Sequence, residues 1–187
     1  MTKFDHTRKR RINWQFVIPA IIGVLTLGVI AFQAHLLQEA NRAARAWVTV
    51  TIATLAKPVA VNEKPLVKID VLNSGKTPAL NVKVLGVVSI AANEAGSVNF
   101  GDTSTYPTAV IGPTSSITVT LDRPPLGQDE IQAIESGRNG LYAHGLVVYF
   151  DIFGRKRRTE FCFSIREKDM HNTPTVLTAC EQGNTAD

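Results

Sequence analysis

The chain has 187 residues, 44% of them hydrophobic and 19% charged, which excludes a disordered or low-complexity protein and fits one domain with appendages. Its net charge of +4 comes entirely from residues 1–13, where Lys3, Arg8, Lys9, Arg10 and Arg11 stand against Asp5. The remaining residues sum to zero, which argues against a nucleic-acid-binding domain, and a count of 2 cysteines excludes a disulfide-dense scaffold and a four-cysteine zinc site.

The first element is apolar. Phe16 to Phe32 reads FVIPAIIGVLTLGVIAF, 17 residues without a charge and with Thr26 as the one polar side chain. At 1.5 Å per residue this is roughly 25 Å of helix, a little under the ~30 Å hydrocarbon core of a bilayer. Trp14 before it and Leu36 and Leu37 after it complete a transmembrane helix over residues 14–37, with the Trp ring suited to the interface. Pro19 lies near the start, where a missing N–H costs least.

The basic cluster from His6 to Arg11 precedes the span. The positive-inside rule then makes residues 1–13 a basic cytoplasmic tail and puts the chain from about residue 40 outside. The cluster can also attract anionic headgroups. The competing reading is a cleaved signal peptide, whose apolar region usually covers about 7–15 residues. The longer run here favours a retained anchor, as does the distance from Phe32 to the small-x-small sequence Ala44-Arg45-Ala46. Residues 38–46 keep helical spacing, with Ala40, Ala43 and Ala44 near one face. They are expected to form a juxtamembrane helix extension that lifts the domain off the bilayer.

From Trp47 the periodicity changes to alternation. Val48, Val50 and Ile52 alternate with Thr49 and Thr51, and Val67, Ile69 and Val71 with Lys68 and Asp70. Val82, Val84, Val88 and Ile90 share a face opposite Asn81, Lys83 and Ser89. Ile117, Val119 and Leu121 alternate with Ser116, Thr118 and Thr120, and Phe161, Phe163 and Ile165 with Glu160, Cys162 and Ser164. Leu141 to Phe150 is apolar on both faces and suits a central strand. Asn73-Ser74-Gly75 predicts a turn between strands, and Asp151-Ile152-Phe153-Gly154 a hairpin. Gln128 to Ser136 is the one helix expected beyond the anchor, with Asp129 and Glu130 in its first turn and Gly137 as its stop.

This pattern predicts a mainly β chain: a single transmembrane helix followed by an antiparallel, immunoglobulin-like β-sandwich over residues 47–170. A small barrel is the alternative. Ala91 to Thr108 is expected to be a long surface loop, with a short edge strand around Val98–Phe100.

Cys162 lies opposite Phe161 and Phe163, and Cys180 falls in the polar C-terminal tail, residues 171–187. An outside compartment favours oxidation, and the two cysteines allow one intrachain bridge. The prediction is Cys162–Cys180, tying the tail across the outer face of the last strand, with about 3 kcal/mol from loop closure. Two free buried thiols are the alternative.

The search for chemistry finds no catalytic, cofactor-binding or metal site. Ser74-Gly75-Lys76-Thr77 resembles the end of a phosphate-binding loop, but Asp70 stands where that motif needs Gly, and Pro78 where it needs a helix. His6, His35, His144 and His171 have no ligand spacing, and His144 is expected to be a satisfied strand histidine. Arg155-Lys156-Arg157-Arg158 is read as a solvated run protecting a sheet edge; phospholipid or an acidic partner is the alternative.

Several segments together resemble an uncharacterised family of bacterial single-pass inner-membrane proteins with an extracytoplasmic immunoglobulin-like domain. They are Asn73-Ser74-Gly75-Lys76-Thr77-Pro78-Ala79, Tyr149-Phe150-Asp151-Ile152-Phe153-Gly154, Thr159-Glu160-Phe161-Cys162, and the terminal Cys180 with Asn184 and Asp187. The resemblance spans nearly the whole chain. The Asp-x-Phe-Gly hairpin with Thr-x-Phe-Cys is its most specific part. A His or aromatic residue is expected near Arg157 in that group, where this chain has a basic run. The resemblance implies a bacterial inner-membrane origin and supplies no activity.

The function expected is non-enzymatic: a membrane-anchored, periplasmic or extracellular binding or scaffolding module. Its partners would be the lipid bilayer and a protein of the cell envelope, with no cofactor and no nucleic acid. The 91–108 loop and the basic hairpin are the candidate surfaces. One alternative is an accessory subunit of a membrane transport or secretion complex that makes its contact through the helix. Another is an enzyme with a site gathered around His144.

Overall fold

The apolar run builds a single helix, α1 (Trp14–Ala44), of 31 residues, in a computed structural model that describes residues 14–93, 107–165 and 174–187. The basic tail, most of the 91–108 loop with its expected edge strand, and His171 lie outside the described residues. The chain divides into two compact units at Ala43–Ala44. In α1, Pro19 falls within the first two turns, and the Thr26 hydroxyl is satisfied by donating to the Ile22 carbonyl at 2.8 Å. The helix ends at Ala44, two residues before the expected boundary.

The second unit is mainly β. Its elements are β1 (Val48–Leu55), β2 (Leu66–Asn73), β3 (Ala79–Ala91), β4 (Ala109–Ile111), β5 (Ser116–Asp122), α2 (Gln128–Glu135), β6 (Gly140–Phe150), β7 (Lys156–Ile165), β8 (Thr175–Val176), β9 (Thr178–Ala179) and β10 (Thr185–Ala186). One sheet has the order β5-β2-β1-β8. The other has the order β10-β7-β6-β3-β4, with β9 also on β7. Every pairing between these strands is antiparallel.

A single core joins the sheets. Val67, Ile69 and Val71 from β2 and Leu121 from β5 meet Val82 and Val88 from β3, Ala143 and Val147 from β6, and Phe161 and Phe163 from β7. β2 crosses to β3 and β4 crosses back to β5, so strands β1, β2 and β5 oppose β7, β6, β3 and β4. That order is consistent with an immunoglobulin-like sandwich. Asn73-Ser74-Gly75 therefore begins a crossing between sheets and does not close a hairpin.

α2 supplies Ile131 and Ile134 to the core and ends at Gly137, whose φ is 71°. Glu130 reaches back to accept the Gly127 N–H at 3.0 Å and pairs with Arg123 at 2.8 Å. The Arg123 hydrogen bond first, and the Gly127 N–H second, hold its carboxyl below the usual range.

Two expectations need correction. β1 does not alternate evenly, because the pairing with β2 shifts between Val50 and Ile52. The extra residue, Thr51, turns Ile52 outward, to 45% exposed, and brings Ala53 and Leu55 into the core. Nor is the segment after residue 171 a tail laid over a face. Its described residues, 174–187, form β8 on the β1 edge and β9 and β10 on the β7 edge, with Leu177 buried in the core between them.

The bulge gives a direct prediction. Leu55→Ala should cost about 2–5 kcal/mol of stability, whereas Ile52→Ala should stay within about 1 kcal/mol. Denaturant unfolding of the two variants measures the difference, and similar losses would contradict the shifted register.

Candidate functional site

The place where the chain arrives from α1 is densely hydrogen-bonded. Ala46 and Val48 are buried, and Trp47 between them is half-exposed. The sheet of β6 and β7 grips this segment from one side. The Tyr149 hydroxyl accepts the Val48 N–H at 3.3 Å and donates to the Ala46 carbonyl at 3.4 Å. The Thr159 hydroxyl donates to the Val48 carbonyl at 2.6 Å. Burial, the largest influence on it, raises the Tyr149 pKa and so keeps its O–H a donor.

Asn73, at the end of β2, grips it from the other side. Its Oδ1 accepts the N–H groups of Trp47 at 3.1 Å and Gly75 at 3.0 Å. Its Nδ2 faces the carbonyls of Thr77, Ile111 and Gly112 at 2.8, 3.1 and 3.2 Å. One fully buried amide thus ties together the start of β1, the crossing into β3 and the end of β4. Gly75 lies under the same crossing, where a Cβ would stand 2.3 Å from the Arg45 carbonyl oxygen and 2.6 Å from the Trp47 nitrogen. Only glycine lets the two backbones approach so closely. Arg45 stacks on the Trp47 ring at 4.4 Å and donates to the Asp187 carbonyl at 3.2 Å.

The β6–β7 hairpin lies at this end of the domain. Asp151 is buried, and its Oδ1 accepts the N–H groups of Phe153 at 3.0 Å and Arg155 at 2.9 Å. Its Oδ2 meets the Arg157 guanidinium at 3.4 Å. Gly154 has φ 74°, so a type I turn closes with a left-handed glycine, as the sequence predicts. Ile152, Phe153, Arg155 and Lys156 remain exposed on the loop.

The predicted bridge forms. Cys162 and Cys180 are disulfide-bonded with a Cα–Cα distance of 5.3 Å, in a small cluster with Tyr142 on the outer face of the sheet. The tail reaches it by pairing along the β7 edge. Asn184 then continues the pairing with its side chain, accepting the Cys162 N–H at 2.9 Å and donating to the Cys162 and Cys180 carbonyls at 3.2 and 3.1 Å.

His144 is 6% exposed on that outer face, and its Nε2 lies 3.1 Å from the Ser89 hydroxyl. This spacing would suit a nucleophile and its base. Among the described residues, however, no carboxylate is bonded to the ring, and the contact satisfies one nitrogen of a buried imidazole. Burial lowers its pKa. Among the described residues no group of three His, Cys, Asp or Glu converges as a metal-ligand set.

These features define a mainly β, disulfide-closed domain that follows an N-terminal apolar helix. No family model, no curated protein and no solved structure matches the chain. The sequence places Asn73, Gly75 and Asp151 in turns, and Tyr149, Thr159 and Asn184 in segments that carry the resemblance noted above, but it assigns none of them these bonds. The available signal was polar residues at strand ends beside a glycine, which marks a turn but does not reveal which distant backbone the turn receives.

Two measurements check the site. Gly75→Ala should destabilise the protein by about 3 kcal/mol or more, because backbone must move, while Gly112→Ala, with only ordinary contact at 3.4 Å, should change stability by less than about 1 kcal/mol. The buried His144 binds its proton less readily in the folded state than in the unfolded one. Its contribution is therefore present above about pH 6.5 and is lost as the pH falls through the lowered folded value. Urea midpoints at pH 7.5 and below should show this loss, and His144→Gln should remove that part of the dependence.

Proposed function

We propose that this protein is a membrane-anchored binding or scaffolding module, displayed outside the cytoplasm, with no catalytic role. The observation that carries the proposal is the helix α1. From Ile18 to Phe32 its large aliphatic and aromatic side chains are exposed on every side, and no charged residue interrupts it from Ile12 to Gln38 apart from the titratable His35. A helix apolar all round needs a nonaqueous surrounding, and a bilayer provides one. The basic residues before it favour a cytoplasmic N-terminus. The Cys162–Cys180 bridge supports an oxidising compartment for the domain. The origin would be a bacterial inner membrane, with the domain in the periplasm or at the cell surface and a protein of the envelope as its partner.

Intact cells expressing the chain, treated with a membrane-impermeant maleimide that shifts its gel mobility, provide the test. Labelling should require prior reduction and should not require lysis. Labelling only after lysis, without reductant, would put the domain in the cytoplasm and overturn the proposal.

A further inference from the structure

The end of the domain that receives the chain from α1 also carries its most unusual surface. Tyr149, which holds Ala46 and Val48, is two residues from the buried Asp151, so the β6–β7 loop stands beside the point where the chain arrives. Phe150, Ile152 and Phe153 are 36%, 47% and 44% exposed. The loop is already fixed by the backbone N–H bonds to Asp151, so a partner meets it with little ordering cost.

The surrounding charges are mainly basic, with the exposed Asp187 beside Arg45 and Arg158 adding an acidic group. Arg155 and Lys156 are exposed and form no ion pair among the described residues, and Lys76 is exposed in the crossing held by Asn73. Arg157 and Arg158 are engaged by Asp151 and Glu160. The β7 edge is paired from Arg158 onward, where β10 lies opposite Glu160 and Thr159 and the Asp187 N–H bonds the Arg158 carbonyl, whereas Arg155 precedes the strand and stands in the loop.

We infer that the β6–β7 hairpin is a second membrane contact, with Ile152 and Phe153 seated among anionic lipid headgroups and Arg155 and Lys156 bound to their phosphates. The inference rests on the membrane reading of α1. Only five residues, 41–45, separate Ala40, where the apolar stretch ends, from the pinned Ala46, and even fully extended the connection reaches roughly 20 Å. The junction is thereby confined near the bilayer, and exposed apolar side chains among free cations match an anionic lipid surface in polarity and charge. The Trp47 ring with Arg45 stacked on it adds an aromatic and basic pair of the kind that lies at such interfaces.

The test uses the full chain, with the photo-crosslinking residue benzoylphenylalanine at Phe153 or, separately, at Leu25. It is reconstituted in nanodiscs of phosphatidylcholine with or without anionic phosphatidylglycerol. Leu25 should cross-link lipid in both. Phe153 should cross-link lipid in the anionic discs, with the yield falling about fivefold or more in neutral discs and in the Arg155→Glu, Lys156→Glu double variant. Formation of the Cys162–Cys180 bridge verifies that each variant is folded. If Leu25 cross-links lipid and Phe153 does not, or does so equally in neutral discs, the hairpin inference is overturned while the membrane reading stands, and an acidic protein becomes the alternative occupant. If Leu25 cross-links no lipid, the membrane reading itself falls.

Discussion

The domain depends on how three residues, Ala46 to Val48, are held between its sheets. Their backbone groups are taken by Tyr149 and Thr159 from one sheet and by Asn73 from the other. A chain leaving a helix would ordinarily enter a β domain through a solvated linker. Here Ala46 and Val48, just after α1, are buried, and the glycine beneath them has no room for a side chain. The same bonds fix the end of β2 and the crossing to β3, so the start of the fold and the relation between its sheets are set at one place. Removing one partner there leaves buried donors or acceptors unmatched, which costs more than the bond itself contributes.

The overall architecture was legible because it depends on period. Alternation in β2, β5 and β7 puts Ile69, Leu121 and Phe161 in the core, as expected, and the two-sided apolar run of β6 lies between two neighbouring strands. Residue-level legibility failed where a local insertion or a distant partner decides. Nothing in Val-Thr-Val-Thr-Ile announces the extra Thr51 that turns Ile52 outward, since both registers offer apolar residues to the core. The short strands β8 to β10 have two residues each, too few to show a period. What defines them is their pairing with the edges of β1 and β7, not a period of their own.

The site was legible in part for the same reason. The two cysteines could be paired because no other pairing was available. The segment around Asn73 was recognised as turn chemistry and weighed against a phosphate loop, but its role is set by Trp47, Ile111 and Gly112, which are remote in sequence. The segments quoted for the resemblance hold the junction, the hairpin and the disulfide edge, so they describe how this architecture is fastened.

The placement of β8, β9 and β10 has a bearing on the order in which the chain is made. Residues 174–187 cover the outer edge of β1 in one sheet and of β7 in the other. On a ribosome they emerge after every strand they protect. Until then the two sheets present unpaired backbone to any neighbouring strand, the state most open to misassociation. The fold is therefore closed by residues 174–187, and the Cys162–Cys180 bridge fastens that closure.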